Sequence, residues 1–229
     1  ICIGAWGVNG QSTIKAGIPH SEGTGITIST SGGPFAATVE KTTPNEAFIV
    51  ENSQTVSSAV LHNLASAWSS TIESVDTTYF GAAPDVDNNC QIEVVIYNID
   101  GPANIGGYFS PSMSGQREVL YVDVNDLGWA NTILAHELQH LLHNARDPFE
   151  YIWIDEGNAD MAAYLCFGAT NTVISHANSW AQQPHISVRW WNQSIADYGA
   201  GFLFMLYLEN RMSTSDSIFL EICFGILFW

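Results

Sequence analysis

His136-Glu137-Leu138-Gln139-His140 decides the reading of this chain. The pentad lies inside the run from Ala130 to His143, where Ile133, Leu134, Leu138, Leu141 and Leu142 recur at helical spacing. Pro148 stops the helix that this spacing predicts. On a helix, positions i and i+4 share a face about 5–6 Å apart, so both imidazoles can reach one ion. Neutral imidazole suits zinc, which lowers the pKa of a bound water to about 7. Glu137 stands a step round the helix, close enough to take a proton from that water without ligating. The flanking leucines bury the helix, as a site of fixed geometry requires.

A catalytic zinc takes three protein ligands and keeps one position open. Trp153-Ile154-Asp155-Glu156-Gly157-Asn158-Ala159-Asp160 supplies the third. Glu156 falls 16 residues after His140, enough for a loop and the return of an antiparallel helix. That second helix is expected over Glu156 to Phe167, with Asp155 as its cap. Asp160, one turn beyond Glu156, is placed to accept the spare N–H of a ligand histidine. Taken alone, Glu156 would be an ordinary first-turn carboxylate favoured by the helix dipole; the histidine pair makes it a ligand. A further histidine ligand would close the open position, so His143 reads as a supporting or surface residue.

Outward from this core, Glu118 to Asp123 and Ile92 to Tyr97 read as strands, separated by a Gly- and Pro-rich loop from Gly101 to Gly115. Val56, Val60, Leu64, Ala67 and Trp68 mark a helix over Thr55 to Ser74, with Ser53 available as N-cap. Residues 1–50 read as strands and turns, including Gly25 to Thr30. Beyond the second site helix, Tyr198 to Asn210 and Asp216 to Phe228 read as helices. The organisation is a β-rich lobe over 1–128 with one long helix and cleft strands, and a helical lobe over 129–229 carrying the metal, the two forming one catalytic unit. Asp85-x-Asp87-x-Asn89-x-Gln91 has the alternating oxygens of a calcium loop, but Cys90 stands where glycine is expected and Ile96 where a bidentate Glu is expected. A partial Ca2+ site and an Asx-rich turn both fit.

Six Lys plus Arg against 23 Asp plus Glu give a net charge of −17. So few cations exclude a nucleic-acid partner and an anionic membrane surface. Hydrophobic residues at 46% and eight Trp provide a substantial core, which excludes a disordered chain. The apolar C-terminus is too short, and too interrupted by Glu221, for membrane insertion. The chain begins at Ile1 and stops inside an apolar run, so both ends read as cuts in a longer precursor. Cys2, Cys90, Cys166 and Cys223 allow three disulfide pairings or isolated buried thiols.

The His-Glu-x-x-His helix followed by Trp153-x-x-Glu156-Gly157 resembles the gluzincin zinc peptidases, the thermolysin and zinc-aminopeptidase superfamily. Within them it is most similar to the hyicolysin-like secreted bacterial neutral metallopeptidases. That similarity runs from about Tyr79 to Asn210, through Phe80-Gly81, Asp85 to Asn89, Gly107-Tyr108-Phe109, the metal helix and Tyr198 to Leu208. The resemblance implies an α+β fold of thermolysin type, with the zinc site between a mixed β/α lobe and a mainly helical one. It implies Glu156 as third ligand and Asp160 as the support of a zinc histidine. Tyr198-Gly199-Ala200-Gly201 is similar to the Tyr-x-x-Gly helix start whose Tyr donates to the oxyanion in zinc aminopeptidases, although Ala200 stands where Lys is usual. Packing of an aromatic at a helix start accounts for Tyr198 equally well. His185 is a second possible donor.

The expected activity is therefore that of a secreted, monomeric zinc endopeptidase acting on protein or peptide substrates. Water attacks the scissile carbonyl, and Glu137 carries its proton to the leaving amine. An aminopeptidase is disfavoured because the Gly-x-Met-Glu-Asn segment that grips a free α-amine is absent. The rival from another class is an extracellular adhesion or binding module with a structural metal helix, but a structural site needs a fourth protein ligand and none stands at the right spacing.

Overall fold

The computed structural model describes residues 17–102, 104–112, 116–212 and 217–225. It divides into two compact units: residues up to Trp68 with Pro84–Ala130, and Ser69–Ala83 with Asn131 onward. The expected start of the chain, its last residues and Cys2 lie outside the described residues.

The first unit is built on one six-stranded sheet of strands β1 (Gly25–Thr30), β2 (Gly33–Thr42), β3 (Glu46–Glu51), β4 (Ile92–Tyr97), β5 (Gly107–Phe109) and β6 (Val119–Asp123). Their spatial order is β1-β2-β3-β4-β6-β5. β3, β4 and β6 run parallel at the centre, while β1, β2 and β5 pair antiparallel outside them. Parallel strands covered on both sides read as continuous apolar runs, which is why Ile92–Tyr97 and Val119–Asp123 were legible. One face carries Ile28, Val39, Ile49, Val95, Val119 and Tyr121; the other buries Phe48, Val94, Ile96, Leu120 and Val122. Glu93 of β4, 2% exposed, is a buried acid beside the Arg117 guanidinium, with His20 Nε2 2.7 Å away; Glu46 of β3 and Asp123 of β6 are buried as well. β5 lies inside the stretch expected to be loop. It is three residues long and held by β6, with Tyr108 and Tyr121 stacked at 4.5 Å.

Helix α1 (Ser58–Ala67) starts at Ser57, not Ser53, because the Ser57 side chain accepts from the Val60 N–H. The helical path continues through a wide turn at Trp68–Ile72 into α2 (Glu73–Phe80) and ends at Gly81, φ 90°.

In the second unit, α2 is joined by α3 (Ala130–Asn144), α4 (Ile152–Phe167), α5 (Asn171–Ala181), α6 (Ile195–Met212) and α7 (Ser217–Cys223). α3 buries Leu134, Leu138 and Leu142 completely. α4 begins a turn earlier than its sequence suggests, with Tyr151 at the N-cap and no side-chain cap. Asp155 is therefore not the cap, and its carboxylate is turned to another use. α5 was not foreseen; its start is marked by Thr170, whose hydroxyl caps Val173 N. The mixed architecture, with one sheet and a separate set of helices, is compatible with an α+β fold. No helix among the described residues is long and apolar enough to cross a membrane.

Candidate metal centre

His136 and His140 lie one turn apart on α3, their rings 4.9 Å apart and nearly perpendicular. Their Nε2 atoms stand 3.2 and 3.5 Å from one oxygen, Glu156 Oε2, in the first turn of α4. Ligand atoms of the three residues lie within 4.8 Å of one another, close enough to hold one metal ion. Two ligands about 2.0–2.1 Å from a tetrahedral ion are separated by roughly 3.3–3.4 Å, so the spacing fits zinc.

The other ring nitrogens fix how the histidines face. His136 Nδ1 is 3.2 Å from Asp160 Oδ1, and His140 Nδ1 is 2.9 Å from Asp155 Oδ2. An Nδ1–H that donates to a carboxylate leaves the Nε2 lone pair for a metal. Asp155 reaches further, its Oδ1 lying 3.1 Å from His143 Nδ1. His143 is 1% exposed, so it is an interior residue and not a surface one. The role of Asp155 was masked in the sequence by its resemblance to a cap. Its position beside Glu156, one turn of α4 before Ala159, was the only signal available.

These carboxylates make a place that favours positive charge. Burial works against charging His136, but bonds to Asp160 and Glu156 outweigh it and raise its pKa to about 10. His140 is raised well above its ordinary value in the same way: burial opposes, and Asp155 and Glu156 prevail. Burial alone would raise Glu156; the neighbouring His140 and His136 bring it down to about 2. Asp155 and Asp160 are likewise lowered by their histidines against the cost of burial.

Two glycines let the helices approach. A Cβ on Gly157, next to Glu156, would stand 2.9 Å from the Gly201 backbone of α6; one on Gly201 would stand 2.9 Å from the Trp153 carbonyl. The α4 and α6 backbones thus touch where Glu156 is presented. Tyr198, one turn before on α6, packs its ring against His176 at 5.2 Å and Trp191 at 4.9 Å. Its hydroxyl is raised above the ordinary tyrosine range, by burial first and then by the charges of Glu156, Asp160 and Glu137. Tyr198 therefore lies within the field of the cluster while also packing as an aromatic. Glu137, 7% exposed, lies beside His136 on α3 and adds to the field that charges it. His185 is exposed in the connection between α5 and α6.

No protein-family model matches the chain. It is 26% identical over 194 residues to the neutral metalloprotease ShpI of Staphylococcus hyicus, a match covering 70% of this chain and 44% of that protein. The similarity relates the chain to a metallopeptidase. The chain spans less than half of that relative's length.

A second acidic group, Asp85, Asp87 and Glu118, lies in the sheet unit. The calcium reading named Asn89 as a possible ligand with Asp85 and Asp87, and all three take part in hydrogen bonds of the turn. Asn89 Nδ2 donates to Asp87 Oδ2 at 2.8 Å, and its Oδ1 accepts from Gln91 N at 2.6 Å. Both of its side-chain polar atoms are used inside the loop. Asp85 and Asp87 accept from the Cys90 and Asn89 backbone N–H groups, which is the Asx-rich turn. Cys90, standing where glycine was expected, takes the left-handed conformation at φ 65°. Glu118 accepts from Val86 N, and burial, with Asp87 and Asp85 nearby, raises it to about 7. Ligand atoms of Asp85, Asp87 and Glu118 lie within 4.8 Å of one another, and the turn's own hydrogen bonds account for the two aspartates without an ion. Cys166 and Cys223 are free thiols, so no pairing that uses either of them forms.

Proposed function

We propose that this chain carries the catalytic site of a gluzincin-type zinc metalloendopeptidase, with His136, His140 and Glu156 as ligands and Glu137 as general base. The convergence of two Nε2 atoms on Glu156 Oε2, each imidazole backed by its own carboxylate, carries the reading. The similarity to a neutral metalloprotease supports it. Zinc held there supplies a Lewis acid for the scissile carbonyl and lowers the pKa of its water.

The residues do the rest. Glu137 takes a proton from the attacking water as the new C–O bond forms, then delivers it to the amide nitrogen as the C–N bond breaks. The products are a carboxylate and an amine. Tyr198 donates to the developing oxyanion. Asp160 and Asp155 hold the two imidazoles so that both Nε2 lone pairs face the metal. The acidic surface belongs to a secreted protein that acts as a monomer on protein or peptide substrates.

The test measures zinc content and cleavage of an unfolded protein before and after chelation, then after zinc is restored. Cleavage should vanish and return with one equivalent of metal. Activity that survives full removal of the metal would falsify the mechanism. N-acetylated peptides should be cut as well as free-amine ones; strict dependence on a free α-amine would make the enzyme an aminopeptidase.

A further inference from the structure

Asp160 does more than support His136. It is 1% exposed, and its two oxygens go to two different histidines: Oδ1 lies 3.2 Å from His136 Nδ1 and Oδ2 lies 2.6 Å from His176 Nδ1. His176 belongs to α5, and its ring also packs on Tyr198. The placement is tight. A Cβ on Gly199 would stand 2.0 Å from the His176 carbonyl oxygen and 3.0 Å from Trp180 Cβ, so α5 and α6 touch backbone to backbone beside this histidine.

We infer that His176 is a positioning residue for the metal centre, locking the Asp160 carboxylate that orients His136 and tying it to the Tyr198 ring. The inference rests on the metal reading above. A carboxylate bonded at one oxygen can still rotate about its Cβ–Cγ bond. One bonded at both oxygens to donors from different helices cannot. His136 then keeps its Nδ1–H bond and its outward Nε2 lone pair, which is the geometry zinc needs. A residue present only for packing would need a ring and no donor.

That difference sets the test, made on the full chain. His176→Phe keeps a ring against Tyr198 and removes the donor. His176→Asn places its amide nitrogen where Nδ1 stood and removes the ring. Zinc affinity, measured by competition with a chromophoric chelator, should fall about 10–100-fold in the Phe variant, and the Asn variant should recover most of the loss. Wild-type affinity in a folded Phe variant overturns the inference, as does an Asn variant no tighter than Phe. A wild-type chain that binds no zinc overturns the metal reading itself, and this outcome is separate because it appears before any substitution. A measurement without variants covers the case of a Phe chain that does not fold. The imidazole 15N spectrum should show His176 carrying its proton on Nδ1, and an unprotonated Nδ1 refutes the role.

Discussion

Each imidazole at the centre has two nitrogens, and the fold gives each a separate task. Nδ1 of His136 and of His140 meets a carboxylate, Asp160 or Asp155, while both Nε2 atoms face Glu156. Substituting a backing carboxylate turns an imidazole; substituting Glu137 leaves the ligands alone. Glu137→Gln is therefore expected to retain zinc at wild-type stoichiometry and to lose about 10²–10⁴-fold in kcat, the usual weight of a general base. Metal analysis beside steady-state kinetics checks both halves, and an undiminished kcat would remove Glu137 from the role.

At the scale of elements, the centre depends on where three helices cross. Gly157 against Gly201 brings α4 to α6, and Gly199 against the His176 carbonyl brings α5 to α6. An alanine in a helix is favoured over glycine by about 0.5–1 kcal/mol. At Gly199 the obstacle is backbone, 2.0 Å from the added Cβ, and cannot swing aside. Overpacking of this kind costs about 1–3 kcal/mol, so the steric term wins. Gly199→Ala should unfold at a lower temperature than wild type and bind zinc less tightly; a stabilised variant would show that the crossing yields easily. These contacts explain why the candidate site was only half legible. Ala130 to His143 announces itself by apolar periodicity, and the histidine spacing falls on one face of it. No periodicity marks His176, because its importance comes from a contact with Asp160, sixteen positions away on another helix.

At the scale of the whole molecule, one buried acid ties stability to pH. Asp76 of α2 is 0% exposed; Oδ1 accepts from Cys166 Sγ at 3.3 Å, and Oδ2 has no hydrogen-bond partner. Burial raises its pKa well above the ordinary value, with Cys166 and His136 pulling the other way. The folded chain thus holds this proton at pH values where the unfolded chain has lost it. The contribution is complete below the unfolded pKa, about 3.9, and is lost as pH rises through the folded one. Asp76→Asn should therefore gain on wild type as pH rises from 5 to 7, by up to about 1.4 kcal/mol per pH unit while the folded acid stays neutral. Urea denaturation of both metal-free chains at pH 5, 6 and 7 measures this; a constant gap would show that Asp76 does not titrate so.

By itself, the sequence determined two central strands, the two site helices apart from the first turn of α4, and the three residues able to hold a metal. Each is written in local periodicity or in a spacing that one helix turn converts directly into distance. Only the tertiary structure decided that Asp155 backs His140 instead of capping α4, and that His176 shares Asp160 with His136. Those outcomes depend on which backbones approach closely. That approach is set by glycines whose partners stand far along the chain, and no local pattern encodes it.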